Sequence, residues 1–144
     1  MGISHNVNDE VRRIQRLADD IKRPSPPLRA GIIRIARFVI DNFRTGGTNA
    51  GGWQALSRGR KKRKVMEGYD GGILVYRGEL KQRWGFIYSA TSAAYQSFTR
   101  YSFDHEEGRG RNPQRKILPT EEQSRALVMP EFERWRKGLL DDRG

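Results

Sequence analysis

The chain has 144 residues and no cysteine; its 28 Lys and Arg against 17 Asp and Glu give a formal charge of +11. That length supports one domain and hardly two, and the missing cysteine excludes disulfide scaffolds, thiolate zinc sites and cysteine nucleophiles. Only 35% of residues are hydrophobic, a thin core for a lone globule, so much of the surface expects a partner. No basic stretch leading into an apolar run marks a secretory signal at MGISHNVNDE. The longest apolar run, 30–40, is broken by Arg34 and Arg37, so no membrane span is expected and the protein should be soluble and intracellular when made.

Val7, Val11, Ile14, Leu17 with Ala18, and Ile21 recur at three- and four-residue steps, which predicts a first helix with one apolar face. Pro24-Ser25-Pro26-Pro27 should end it, making residues 1–27 an N-terminal helix with a proline-rich linker. A second helix, 28–44, carries Leu28, Ile32, Ile35, Ala36, Val39, Ile40 and Phe43 on one stripe and stops at Gly46-Gly47. It is the expected spine of a single domain over 28–144.

Residues 46–52 hold four glycines and read as a mobile loop, with Trp53 and Leu56 as apolar anchors after it. Arg58, Arg60, Lys61, Lys62, Arg63 and Lys64 then place six positive charges in seven residues. Their mutual repulsion predicts an extended or disordered segment. Residues 73–76 read as a short strand or a buried extended segment, and Gly78-Glu79-Leu80 as the opening of a helical turn. The aromatic stretches 84–88 and 94–99 predict an antiparallel hairpin, and 101–107 a short helix ended by Gly108. Ile117-Leu118 makes a brief apolar contact before Pro119. Thr120 with Gln123 forms a capping box for a last helix, with a kink or break expected at Pro130.

Catalytic chemistry finds little support. The chain has no G-x-S-x-G elbow, and its paired glycines lack the Lys-Ser/Thr ending of a phosphate loop. Asp104-His105-Glu106-Glu107 mixes carboxylates with an imidazole, and a metal-dependent nuclease centred on His105 is a weak alternative. Consecutive residues on a helix point apart, however, so a short polar helix whose His105 side chain bonds a neighbouring loop is expected instead. No catalytic or metal-ligating residue is assigned. The basic run has three readings: a phosphate-binding segment, a nuclear-import address, or an arm for an acidic protein surface. Trp53, Trp84 and Trp135 are expected as core or interface anchors.

Four motifs follow one another in order. They are Trp53-Gln-Ala-Leu56-Ser57, then Ile73-Leu74 with Gly78 and Leu80, then Tyr101 with His105 and Gly108, then Pro113-Gln-Arg115-Lys-Ile117-Leu118. Over roughly residues 28 to 140 the chain thereby resembles the tailed-phage virion morphogenesis family of Mu G-like tail-completion proteins. It departs from the family at Arg77 and at Glu106-Glu107, and its first helix with the linker is an addition.

The resemblance implies a non-enzymatic structural protein of the phage neck, acting in tail completion or head–tail joining. It would work without a cofactor, as a homo-oligomeric ring around the DNA channel, with a hexamer as the expected copy number. Its partners would be other neck, tail-terminator or connector proteins. It would be located in the virion, and in the host cytoplasm during assembly, without a membrane. The expected fold is α+β, with long N-terminal helices on a small antiparallel sheet from 73 to 102 and a C-terminal helix. Trp53, Leu56, Gly78, Leu80, Tyr101, His105, Gly108, Pro113, Arg115 and Leu118 would have architectural roles, several of them at the sheet-to-helix corner. In a ring that DNA must slide through, a basic lumen would grip the genome. Arg58 to Lys64 are therefore expected to meet acidic protein surfaces first and DNA second. The alternative is a nucleic-acid-binding module using residues 58–64.

Overall fold

The computed structural model describes residues 2–68, 72–74, 79–99 and 101–141, with side chains from Val7 onward except those of Glu79 and Tyr101. The elements in chain order are α1 (Gly2–Ile21), α2 (Ser25–Thr45), a 3-10 turn (Thr48–Ala50) and α3 (Arg58–Met66). They continue with α4 (Glu79–Gln82), β1 (Trp84–Tyr88), β2 (Ala93–Ser97), α5 (Tyr101–Glu107) and α6 (Glu121–Asp141). The fold is α+β: long N-terminal helices, a two-stranded antiparallel sheet and a C-terminal helix.

The apolar stripe of α2 places Ile32, Ala36, Val39 and Phe43 inside, and the rest of the molecule is arranged around it. α6 packs along α2, where Gly31 faces Val128 and Arg34 is ion-paired to Glu131. β2 of the hairpin packs on α2 as well. In the hairpin Trp84 pairs with Ser97, Phe86 with Tyr95 and Tyr88 with Ala93. That register puts the rings of Trp84, Phe86, Tyr88 and Tyr95 on one face, because alternate strand residues share a side. Trp84 stacks on Tyr95 at 5.1 Å, and Arg29 of α2 lies 4.6 Å from the centre of the Tyr88 ring. Val39, Phe43, Trp53, Leu74, Leu80 and Ile117 close the core, with Ile73, Trp84 and Tyr95 packed against it.

Several expectations need correction. α2 begins at Ser25, so Pro26 and Pro27 belong to its first turn and not to a linker. The first N–H groups of a helix have no intrahelical partner, so proline loses nothing there and its fixed φ suits the turn. Residues 58–64 are helical. The Ser57 hydroxyl accepts the Arg60 N–H, and Glu67 pairs with Arg63 at 3.0 Å one turn on. These local contacts offset the repulsion that an isolated segment would feel.

Ile73 and Leu74 form a turn whose side chains enter the core, and among the described residues the sheet spans 84–97; Val75 and Tyr76 lie outside the described residues. α6 runs unbroken through Pro130. Pro130 deprives only the Ala126 carbonyl of its bond, and Ala126 is exposed, so solvent can satisfy that group. The glycine-rich segment closes on itself: Gly47 N–H donates to Asn42 O at 2.8 Å and Trp53 N–H to Gly46 O at 2.7 Å. Gly47 sits at φ +81°, where a Cβ would collide with the Trp53 ring at 2.3 Å, so both backbone and packing require glycine.

The α2–α6 contact yields a first test. A Cβ on Gly31 would approach Val128 Cγ1 to 2.9 Å. Gly31→Leu should therefore lower stability by about 1–3 kcal/mol through overpacking. Val128→Ala in the same chain should restore part of the loss, as read by urea denaturation.

Candidate functional site

The motif positions meet where the end of α5, the 112–118 segment and the start of the 53–57 segment cross. α5 ends at Gly108, whose φ of +68° turns the chain back; a Cβ there would lie 3.0 Å from Gln114. The last carbonyls of a helix lack intrahelical donors, and here the returning chain supplies them. Arg109 N–H donates to Asp104 O at 2.9 Å and Arg115 N–H to His105 O at 2.7 Å. Gln114 Nε2 donates to Glu106 O at 3.1 Å. One carboxylate oxygen of Glu106 accepts the N–H groups of Ile117 at 2.6 Å and Leu118 at 3.2 Å.

This corner is then fastened to the rest of the molecule. Arg115, buried, donates from Nε to Gln54 O at 2.9 Å and reaches Ala55 O with a terminal nitrogen at 3.5 Å. Trp53 Nε1 donates to Lys116 O at 2.7 Å, while its ring meets Phe43 edge-on at 5.6 Å. Asn42 of α2, with 0% exposure, donates from Nδ2 to Ile117 O at 3.0 Å. Ile117 itself is 1% exposed, so the brief apolar contact read from sequence is a centre of the core.

Of the motif residues, Trp53, His105, Gly108 and Arg115 join in this corner directly, and Leu118 does so through its N–H. Leu80 is in the core, and its carbonyl accepts Trp84 Nε1–H at 2.7 Å. Leu56 and Pro113 are half-buried beside these segments. Gly78 and the Tyr101 side chain lie outside the described residues. Asn42 and Glu106 were not anticipated. In the sequence Glu106 belongs to an acidic cluster and to a departure from the family, yet its carboxylate holds two backbone N–H groups. Among the described residues, no group of three or more His, Cys, Asp or Glu side chains is placed to hold a metal.

His105 differs from its expected role. Its carbonyl makes the link to the neighbouring segment, while its buried Nδ1 has no hydrogen-bond partner among the described residues. Burial is the largest cause of a lowered imidazole pKa, followed by the positive charges of Arg115 and Arg60, with Asp104 opposing. Burial also lowers the pKa of the Arg115 guanidinium, with help from Arg60. Arg60, the third residue of α3, thus sits close enough to join the basic helix electrostatically to the corner.

Of the basic run, Arg58, Arg60, Lys61, Lys62 and Arg63 are exposed. Lys64 is not available as a surface contact: it is 5% exposed and its Nζ donates to Gly72 O. Arg58, Lys61 and Lys62 stand at i, i+3 and i+4 and share one helix face. Val65 continues that face, with Met66 next to it, and both are exposed.

Comparison of the chain with protein-family models, with curated proteins and with solved structures finds no match in any of the three.

The His105 environment fixes a pH dependence. With the folded pKa below the unfolded value of about 6.5, the unfolded chain takes up its proton first as pH falls. Stability is therefore full above about pH 6.5 and declines as pH drops towards the folded pKa. The thermal midpoint of His105→Gln should approach that of the parent chain as pH is lowered from about 8 to about 5 across this window. Circular dichroism melts across that range read the gap.

Proposed function

We propose that the chain is a structural subunit of the neck of a tailed-phage virion, acting in tail completion or head–tail joining as a homo-oligomeric ring. The observation that carries the reading is the corner. Three of the four motifs whose order resembles that of the family, at 53–57, 101–108 and 113–118, are tied together by hydrogen bonds in space. Such residues, bonded to backbone carbonyls and N–H groups, suit an architectural role. The exposed apolar side chains support an oligomer: Ile33 and Ile40 of α2, Phe98, Phe103 and Met129 all remain at the surface. A small subunit gains stability by burying such side chains against identical neighbours.

Interrupting the gene in its phage should leave filled heads and tails unjoined, with plaque formation restored by the protein supplied from a plasmid. Negative-stain microscopy of the lysate reads the outcome. Normal infectious particles that lack this chain by mass spectrometry would overturn the proposal.

Within that reading α3 faces a protein before it faces DNA. Phosphate contacts use the cations of Arg58, Lys61 and Lys62 but have no use for the exposed Val65 and Met66 beside them. An acidic protein surface with an apolar centre uses both. Reversing Arg58, Lys61 and Lys62 to Glu, all exposed, should leave the fold intact and block joining in the same complementation assay. The nucleic-acid alternative instead predicts duplex binding that weakens steeply between about 50 and 200 mM salt and is lost in the same variant. Normal joining by the variant refutes the protein-docking role.

A further inference from the structure

The close packing of the molecule lies between α2 and α6 and between α2 and the hairpin; α1 is not among these pairs. Yet α1 is more sharply two-faced than α2, α3 or α6. Val7, Val11, Ile14, Ala18 and Ile21 follow one another at steps of four, three, four and three, the spacing of a coiled-coil seam. Val7 is 55% exposed, Val11 48%, Ile14 62% and Ile21 57%. Asp9, Arg12, Arg13, Arg16, Asp19 and Asp20 all fall on positions facing away from the seam, and Glu10 alone among the charged residues flanks it. A narrow, uncharged seam of this period is shaped for another helix.

The C-terminal end of the same seam runs into a groove of about 410 Å3 between α1 and α6, lined by Leu17, Ile21, Phe132, Trp135, Leu139 and Leu140. Glu133 and Arg136 also line it and pair with each other at 2.7 Å, so they add no net charge. We infer that α1 of a second copy of this chain occupies this groove. In an antiparallel arrangement centred between Val11 and Ile14, the exposed Val7 end of each helix lies over the Ala18 and Ile21 end of the other, where the groove opens. One contact thereby covers both unpartnered surfaces.

Charge separates this occupant from others. Asp9, Glu10, Asp19 and Asp20 outnumber Arg12, Arg13 and Arg16, so α1 carries −1 on a chain whose total is +11, and the remainder carries +12. At the positions flanking the seam, Asn8, Glu10, Gln15 and Leu17, the antiparallel register sets no two like charges together, so a second α1 fits there, whereas a helix of negative sign is repelled by an anionic lipid surface.

The inference goes beyond the neck reading and is tested without a virion. The mass of the full chain in solution should be at least that of a dimer by light scattering. Val7→Asp with Ile14→Asp should reduce it by the α1 contact, with an unchanged circular dichroism melt at dilutions where both are monomers, because both side chains are exposed in the single chain. The absence of native cysteine makes cross-linking unambiguous. A chain carrying Val7→Cys mixed with one carrying Leu140→Cys should form a disulfide-linked heterodimer on mild oxidation. An Arg44→Cys partner, exposed but outside the groove, should not. An unchanged oligomer in the Asp variant together with no heterodimer overturns the inference and leaves a ring built through other surfaces intact. Loss of the contact in the variant, with heterodimer formation, supports it even if the protein were absent from virion necks.

Discussion

The bond from Asn42 Nδ2 to the carbonyl of Ile117 joins the last turn of the spine helix to a segment 75 residues away, in full seclusion from solvent. A buried amide and carbonyl left unpaired would each lose the hydration they had in the unfolded chain, so this pairing fixes where the 112–118 segment must lie. The rest follows from that placement. Once Ile117 is seated, its N–H meets the Glu106 carboxylate, the preceding carbonyl meets the Trp53 indole, and Arg115 is carried to the carbonyls of Gln54 and Ala55. Polar groups thus set the register, and the apolar side chains fill the space they define.

That division of labour suits a chain with little apolar material. The buried cluster is built from single residues contributed by distant segments, Leu74, Leu80 and Ile117 among them, with α2 alone giving Val39 and Phe43 together. Few of these residues could be lost without opening the core. Meanwhile large apolar groups remain outside on α1, α2, β1 and α6. A sequence that leaves Val and Ile at the surface in this way keeps apolar material that the single chain does not bury.

The long helices, the hairpin and the capping box of α6 were legible because each is fixed by contacts within a few residues of itself. Thr120 and Gln123 exchange backbone N–H bonds at 2.9 and 3.2 Å, as their spacing requires. The hairpin is announced by its aromatic stretches, but its second strand runs 93–97 and not 94–99, because the Ser89–Ser92 turn sets the register. The corner was legible only as an order of motifs. The work of Asn42 and Glu106 is defined by backbone groups 75 and 11 residues away, and no local pattern reports such a distance. The basic helix was missed for a related reason. Repulsion among its charges is visible in the sequence, whereas the burial of Lys64 against the Gly72 carbonyl, eight residues on, is not. Pro26 and Pro27 misled because a proline inside a first turn and a proline after a last turn look alike in one dimension.

The reach of the Asn42–Ile117 bond also orders events during synthesis. Ribosomes build a chain from its N-terminus at about 5–20 residues per second. Several seconds therefore separate the emergence of the spine helix from that of the residue that closes its core. Throughout that interval Phe43 and Trp53 have no Ile117 to pack against, and the nascent chain offers them to any chaperone or sister chain nearby. Contacts of such long separation also raise the contact order and slow the final closure. The same bond that locks the finished subunit thus makes the half-made one the stage most exposed to aggregation.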